Sequence, residues 1–138
     1  MQHFHGSNET VTEIRVDGVF GGLFAGSEVT ARSHGSVLHM IESPRPLSDY
    51  ELNYEIDGAY DIALELADGD ERIADAIMSA GCESLDDCEP DDAGDQGWRF
   101  QRLRGRLASR LGYTSVEMLD EHGTTWLCLT GCTVQVSE

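Results

Sequence analysis

Three short segments contain residue types that can bind a small molecule and stabilise a charged transition state. FHGS spans residues 4–7, GVFGGLFAG spans 18–26 with ARSHG following at 31–35, and DEHGT spans 120–124. Glycines let the backbone approach a ligand closely, phenylalanine rings provide flat stacking surfaces, and carboxylates hold sugar hydroxyls. If the fold brings the three segments together, they can form one ligand site.

Each segment taken alone has a common structural explanation. His5 is typical of a hydrogen-bonded residue that ends a strand. Phe20 and Phe24 fit core positions around a glycine-rich turn, and Asp120 and Glu121 fit the polar tip of a hairpin. No single segment therefore decides a function, and their order along the chain carries more information.

Helices are expected in the middle of the chain. Asp70 can act as an N-cap for an amphipathic stretch that closes at Gly81, which predicts a short helix. A clearer helix is predicted from Trp98 to about Leu111, where apolar residues recur at spacings of three and four and Gly112 ends the pattern. Residues 47–66 mostly suit a helix but alternate in part as a strand would, so that segment stays open.

Strand patterns lie towards both ends of the chain. They are predicted at residues 4–5, 13–16, 37–41, 115–119, 125–129 and 133–136. The Asp-Glu-His-Gly sequence between two of these runs has the composition of a hairpin turn. Strands at both ends with helices between them predict an α+β fold.

The length of 138 residues predicts one domain over residues 1–138. Residues 83–97 contain seven acidic side chains and too little apolar surface to order the segment, which predicts a mobile acidic loop.

Charge is the most extreme feature of the composition, because 26 acidic residues against nine basic ones give a net charge of -17. Such a chain is repelled by phosphates and attracted to basic protein surfaces, so no direct nucleic-acid partner is expected. No apolar run approaches the length of a membrane span and no secretory signal is visible. We therefore expect no membrane partner and a cytoplasmic location.

The nine basic residues are all arginines. The lack of lysine excludes a lysine Schiff base and a phosphate loop that ends in Gly-Lys-Ser/Thr. Four of the arginines form a stripe along the helix predicted after Trp98: Arg99, Arg102, Arg106 and Arg110. The stripe suits either an acid-binding surface or a solvated face, and we prefer the solvated face.

The four cysteines do not show the two-residue spacing of zinc knuckles, and we expect them to be free thiols with no bound metal. They are Cys82, Cys88, Cys128 and Cys132.

Taken together, the three segments resemble the ADP-ribosyltransferase superfamily. That superfamily has an early His-Gly-Thr/Ser, then a Gly-x-Phe-Gly-x-Gly-Leu/Ile-aromatic segment, and finally a carboxylate near a late strand. From Phe4 to about Val134 the chain is more closely similar to the type I-F anti-CRISPR ADP-ribosyltransferases. The matching stretches are FHGS, GVFGGLF, SHG, LNYEI, QRLRG, LGYTSVEM and DEHGTTWLCL, and the main departure is a longer acidic loop at 89–94.

The resemblance implies an ADP-ribosyltransferase-like domain with a split antiparallel β core flanked by helices. It implies an NAD-dependent mono-ADP-ribosyltransferase whose partner is the large, PAM-reading subunit of a type I-F CRISPR surveillance complex. The implied acceptor is an asparagine side chain in the PAM-reading loop, whose modification blocks DNA recognition. Two alternatives remain: a non-catalytic acidic inhibitor that mimics DNA, and an ADP-ribosyltransferase with another acceptor.

The resemblance also implies roles for particular residues. Gly6 pairs through its main chain with the nicotinamide carboxamide, and Phe24 stacks on nicotinamide where the superfamily commonly has tyrosine. The implied NAD-binding residues are Phe4, His5, Gly6, Ser7, Phe20, Gly21, Leu23, Phe24, His34 and Asp120. The implied catalytic residues are Asp120 and His5, with Glu121 as the alternative carboxylate to Asp120. A carboxylate that holds the ribose hydroxyls stabilises the positive charge that develops on the ribose as the bond to nicotinamide breaks.

Overall fold

Two β-sheets, each built with strands from both ends of the chain, form the framework of the computed structural model. The structure describes residues 1–18, 21–120 and 123–137. Within that part of the chain the strands are β1 (Gln2–Ser7), β2 (Leu23–Ala25), β3 (Val37–Glu42), β4 (Pro46–Leu47), β5 (Ser115–Asp120), β6 (Gly123–Cys128) and β7 (Thr133–Ser137).

The three-stranded sheet has the order β1-β3-β7 and is antiparallel throughout. The four-stranded sheet has the order β2-β6-β5-β4, in which only the short β4–β5 pair is parallel. The sheets meet where Phe4 and Gly26 exchange backbone hydrogen bonds of 2.9 and 2.7 Å. The predicted α+β class with a split β core is confirmed.

The helices lie between β2 and β3 and, for the most part, between β4 and β5. They are α1 (Glu28–Ser33), α2 (Ala59–Leu66), α3 (Glu71–Met78) and α4 (Ala93–Arg110), with a π-helical turn at Glu51–Glu55 and a 3₁₀ turn at Pro90–Asp92. The Asp70 carboxylate accepts a hydrogen bond from Arg72 N at 3.0 Å and caps α3 as expected. Gly112, with φ of +87°, follows the end of α4 in the left-handed region that glycine favours.

The main core lies between α2, α3, α4 and one face of the four-stranded sheet. Its fully buried large side chains include Leu47, Leu52, Ile77, Phe100, Leu107, Val116, Met118, Leu127 and Leu129. A smaller cluster of Ala25, Ile41 and Cys128 packs the opposite face of that sheet against the three-stranded sheet. Helices α2, α3 and α4 and one sheet therefore share the main core, and the three-stranded sheet packs on the opposite face of that sheet.

One arginine of α4 is a structural residue of the core. Arg104 has no solvent exposure. Its guanidinium donates to Ile77 O at 3.0 Å and Glu117 O at 2.9 Å, and to the Asp49 carboxylate at 2.9 Å. It thereby joins α3, β5 and the residues before the π-helical turn, and it stands apart from the arginine stripe described above.

One predicted strand and the predicted end of α3 are wrong. Residues 13–16 form no strand, because β1 already pairs with β3 on one edge and meets Gly26 on the other. Only Ile14 of that run packs against the core. Helix α3 ends at Met78, before Gly81, with Ser79 as its C-cap. Residues 47–66, for which the sequence allowed either helix or strand, contain the π-helical turn and α2.

The acidic segment 83–97 contains more helix than the sequence predicts. Helix α4 begins at Ala93, not at Trp98, and the Pro90–Asp92 turn leads directly into it. Acidic side chains at the start of a helix are stabilised by its dipole, and proline favours the first turn. The Gln96 side chain also accepts a 2.7 Å hydrogen bond from Leu85 N, which ties the segment to α4. The irregular part of this segment therefore ends near Glu89.

The four cysteines are free thiols, with Cys82 and Cys128 buried. Among the helices in the described ranges, none has both the length and the apolar character needed to cross a membrane.

Candidate active site

A cavity of about 770 Å³ lies where the two sheets meet. Residues 4–9 of β1 and its continuation form one wall, and residues 22–26 around β2 form another. Helix α1 closes a third side with Thr30, Ala31 and His34, and the β5–β6 hairpin contributes Asp120 and Thr125. This volume is typical of sites that bind small molecules.

Most residues that the sequence suggests for a site line this cavity. They are Phe4, His5, Gly6, Ser7, Leu23, Phe24, His34 and Asp120. Gly21 is not among the described lining residues; a Cβ on it would lie 2.9 Å from Arg102 Cα, so its close contact is with α4. Phe20 and Glu121 lie outside the described residues.

Gly6 is a glycine because α1 packs directly on it. A Cβ at Gly6 would lie 1.6 Å from Ala31 O, and a Cβ at Gly35 would lie 2.3 Å from Ser7 C. Both distances are far shorter than any real Cβ contact. The two glycines therefore let α1 and the residues after it lie against the end of β1, which brings Thr30 and His34 to the cavity.

The main chain of Gly6 points towards the cavity. Backbone N–H and C=O groups alternate between the two edges of an antiparallel strand, residue by residue. Phe4 directs both of its groups to Gly26, away from β3. The N–H and C=O of Gly6 lie on the same edge of β1, the edge that faces away from β3. Strand β2 does not continue far enough to pair with them. A donor and an acceptor thus face the same small space.

The imidazole of His5 is held between the two sheets. Its Nδ1 lies 2.6 Å from Phe24 O, and because a carbonyl oxygen can only accept, Nδ1 carries the proton. Burial lowers the pKa of His5 below its usual 6.5, while the bond to Phe24 O opposes that shift. The ring is therefore neutral at pH 7, with a lone pair on Nε2 that can accept a hydrogen bond.

Asp120, Thr125 and Phe24 lie on the same face of the four-stranded sheet. Asp120 pairs with Gly123, Met118 with Thr125, and Phe24 with Leu127. Since side chains alternate between faces along a strand, these positions all project towards the face that carries the main core. The hairpin thus places the carboxylate of Asp120 and the hydroxyl of Thr125 at the cavity that Phe24 also lines.

Four lining residues lie outside the three segments that the sequence analysis singled out: Asn8, Glu9, Thr30 and Thr125. Asn8 and Glu9 directly follow FHGS, so their closeness along the chain is a signal that was available. For Thr125 the sequence contains no such signal, because only the β5–β6 register brings this residue beside Asp120. Its hydroxyl is buried and has no hydrogen-bond partner among the described residues.

Comparison with known proteins agrees with this geometry. The family model described as Anti-CRISPR Type I-F ADP-ribosyltransferase AcrIF11 matches residues 1–136. A solved crystal structure of an anti-CRISPR protein is similar to this chain with a TM-score of 0.89 and 59% sequence identity, covering 99% of this chain and 95% of that chain. No curated protein matches the chain. The chain belongs to the family of anti-CRISPR type I-F ADP-ribosyltransferases.

Proposed function

We propose that the cavity binds NAD and that the protein transfers ADP-ribose from it to the large, PAM-reading subunit of a type I-F CRISPR surveillance complex. The acceptor is an asparagine side chain, and its modification blocks recognition of target DNA. One observation carries the proposal: the His-Gly pair of β1 and the hairpin carboxylate Asp120 line the same cavity, although they stand at opposite ends of the chain.

The groups around Gly6 suit the nicotinamide end of NAD. A carboxamide has one acceptor and two donors, and the main chain of Gly6 offers a donor and an acceptor on the same edge of β1. The ring of Phe24 provides a flat apolar surface beside that edge. This pair of features holds nicotinamide in one orientation and fixes the ribose that is attached to it.

The ribose then lies between His5 and Asp120. In the reaction the bond between the ribose anomeric carbon and nicotinamide breaks, and nicotinamide leaves with the bonding electrons. The asparagine side-chain nitrogen forms the new bond to that carbon and releases a proton. Asp120 stabilises the positive charge that develops on the ribose, and the Nε2 lone pair of His5 accepts from a ribose hydroxyl. Both residues act mainly by position and charge.

The pyrophosphate of NAD is bound without lysine or arginine. The chain has no lysine, and the described lining contains no arginine. Hydroxyl groups of Ser7 and Thr30, main-chain N–H groups and the His34 ring hold the phosphates instead. A site of this kind depends on precise main-chain positions. Gly6 and Gly35 contribute to them because they let α1 and the residues after it lie against the end of β1.

The test is the mass of each subunit after incubation of the surveillance complex with this protein and NAD. We expect one subunit to gain the mass of one ADP-ribose. Asp120→Asn should lower the transfer rate by about a hundredfold or more while the fold is kept. Asp91→Asn, in the acidic turn before α4, is the matched control and should leave the rate unchanged.

The variant Glu121→Gln separates the two candidate carboxylates. We expect Asp120→Asn to lose transfer and Glu121→Gln to retain most of it. Retained transfer in Asp120→Asn together with loss in Glu121→Gln would move the catalytic role to Glu121.

A second candidate function rests on the net charge of -17. An acidic protein can block a basic DNA-binding groove without any chemistry. Such inhibition requires one inhibitor per complex, is independent of NAD and weakens with salt. Inhibition by a small fraction of one equivalent that requires NAD would exclude it.

A further inference from the structure

A second histidine lies behind the cavity wall. His39 belongs to β3, has no solvent exposure and is paired with His5 in the β1–β3 ladder. The centroids of the two imidazole rings are 5.6 Å apart. His39 is not among the described lining residues, so it can influence the cavity only through other residues.

Both ring nitrogens of His39 have partners in the main chain. Nδ1 lies 3.1 Å from His5 O, and Nε2 lies 2.8 Å from Val11 N. A carbonyl can only accept and a backbone N–H can only donate, so Nδ1 carries the proton and Nε2 carries a lone pair. The geometry thus requires a neutral imidazole in one defined tautomer.

The bond to Val11 anchors the rim segment, which we define as residues 8–18. This segment follows β1 and has no regular secondary structure. Its first two residues, Asn8 and Glu9, line the cavity. Val11 lies two residues after Glu9, and a buried ring that holds its N–H limits where Asn8 and Glu9 can lie.

We propose that His39 is a positioning residue for substrate binding, which joins the rim segment to β1 through its two nitrogens. The inference rests on the proposed NAD site. Because no rim residue is among those proposed to hold nicotinamide or the ribose, loosening the rim is expected to weaken binding of NAD and of the transition state alike. The expected effect is therefore on KM for NAD, with little change in kcat.

Two substitutions separate the hydrogen bonds of His39 from its bulk. His39→Leu keeps a buried side chain but can neither donate nor accept. His39→Gln offers an amide N–H for His5 O and an amide oxygen for Val11 N–H. We expect His39→Leu to raise KM for NAD by about tenfold, the effect of losing two buried hydrogen bonds, and His39→Gln to restore KM to within about threefold of wild type.

His3→Leu is the matched control. His3 lies on β1 two positions before His5, is also buried, and is not among the described lining residues. It stacks on Trp126 with ring centroids 5.0 Å apart. Replacing it disturbs the same strand but leaves the hydrogen bond between His39 and Val11 in place, so KM for NAD should stay at the wild-type value.

Amide hydrogen exchange at Val11, measured by NMR, tests the anchor itself without any reaction. The Val11 N–H should be protected in wild type and His39→Gln and exchange faster in His39→Leu, and the wild-type imidazole spectrum should show the Nδ1-protonated tautomer of His39. Any one of three results would overturn the proposal. The Val11 N–H could be unprotected in wild type, His3→Leu could raise KM for NAD as much as His39→Leu does, or His39→Gln could fail to restore KM. If wild type binds no NAD in calorimetry, the proposed function fails, whereas the exchange measurement still decides whether His39 anchors the rim.

Discussion

At the residue scale, Gly6 determines how closely helix α1 approaches strand β1. The space that a side chain would need is filled by Ala31 O. A backbone atom at that distance cannot move aside as a flexible side chain can. The same residue also exposes its main chain to the cavity, so under the proposed function one position serves packing and substrate binding together.

Gly6→Ala should therefore destabilise the protein by at least about 3 kcal/mol and abolish transfer, because α1 must move away from β1. Gly18→Ala is the control, since a Cβ there meets nothing within 4 Å. It should change the free energy of unfolding by less than about 0.5 kcal/mol. Urea unfolding of both variants measures the difference, and equal stabilities would contradict the packing argument.

The buried His3 makes stability depend on pH. Burial, together with the nearby N-terminal amino group and against the opposing effect of Glu42, lowers the pKa of its imidazole from 6.5 to about 4. The unfolded chain binds the proton more readily, so this contribution to stability is complete above pH 6.5 and is lost as the pH falls towards 4.

We expect this effect to reduce the free energy of unfolding by about 2 to 3 kcal/mol between pH 7 and pH 4.5. His3→Phe keeps a ring against Trp126 but cannot titrate, so its loss of stability over the same range should be smaller by that amount. Urea unfolding at both pH values gives the comparison. If wild type and variant lose the same stability, another group is responsible.

At the scale of elements, α4 is the helix around which the main core is organised. Phe100, Leu103 and Leu107 face the sheet as their spacing predicts. Arg104 lies among them and joins α4 to three other parts of the chain. Sequence periodicity places a charged residue on the solvent side of a helix, whereas here the buried guanidinium makes four hydrogen bonds to protein acceptors in place of water.

Arg104→Met should lower the free energy of unfolding by about 3 to 5 kcal/mol, because it leaves the Ile77 and Glu117 carbonyls and the Asp49 carboxylate without their donor. Arg106→Met, at an exposed position of the same helix, should change stability by less than about 0.5 kcal/mol. Thermal unfolding followed by circular dichroism distinguishes the two. Comparable losses in both variants would show that the buried network contributes little.

At the scale of the whole molecule, acidity is the dominant property. With a net charge of -17 the folded chain concentrates negative charge that the unfolded chain spreads out. Among the described residues, the ion pairs of the arginines are mostly on the surface and stabilise weakly. Mutual repulsion of the carboxylates therefore opposes folding at low ionic strength.

We expect Tm to rise by several degrees when NaCl increases from about 10 mM to about 500 mM, because the screening length falls from about 30 Å to less than 5 Å. Asp86→Asn, Asp91→Asn and Asp92→Asn combined remove three charges from the acidic segment and should reduce the rise. Calorimetry measures both proteins. A Tm that falls with salt would indicate that attractive pairs outweigh the repulsion.

The sequence by itself determined the order of the three chemical segments, the capped helix at Asp70, the helix stop at Gly112 and the hairpin whose first strand ends at Asp120. These features depend on neighbours a few positions away, so local patterns suffice to predict them. The resemblance to the ADP-ribosyltransferases also followed from the residues alone and was confirmed by the family match.

Only the tertiary structure decided what meets at the cavity. Residues 4–9 and Asp120 are brought together by pairing between distant strands, and no local pattern encodes that contact. The same is true of Ala31 on Gly6, of Thr125 beside Asp120, and of the missing strand at 13–16, whose pairing edge is taken by other parts of the chain. Packing between distant segments, which depends on shape and on the competition for backbone partners, is information that one linear sequence does not display.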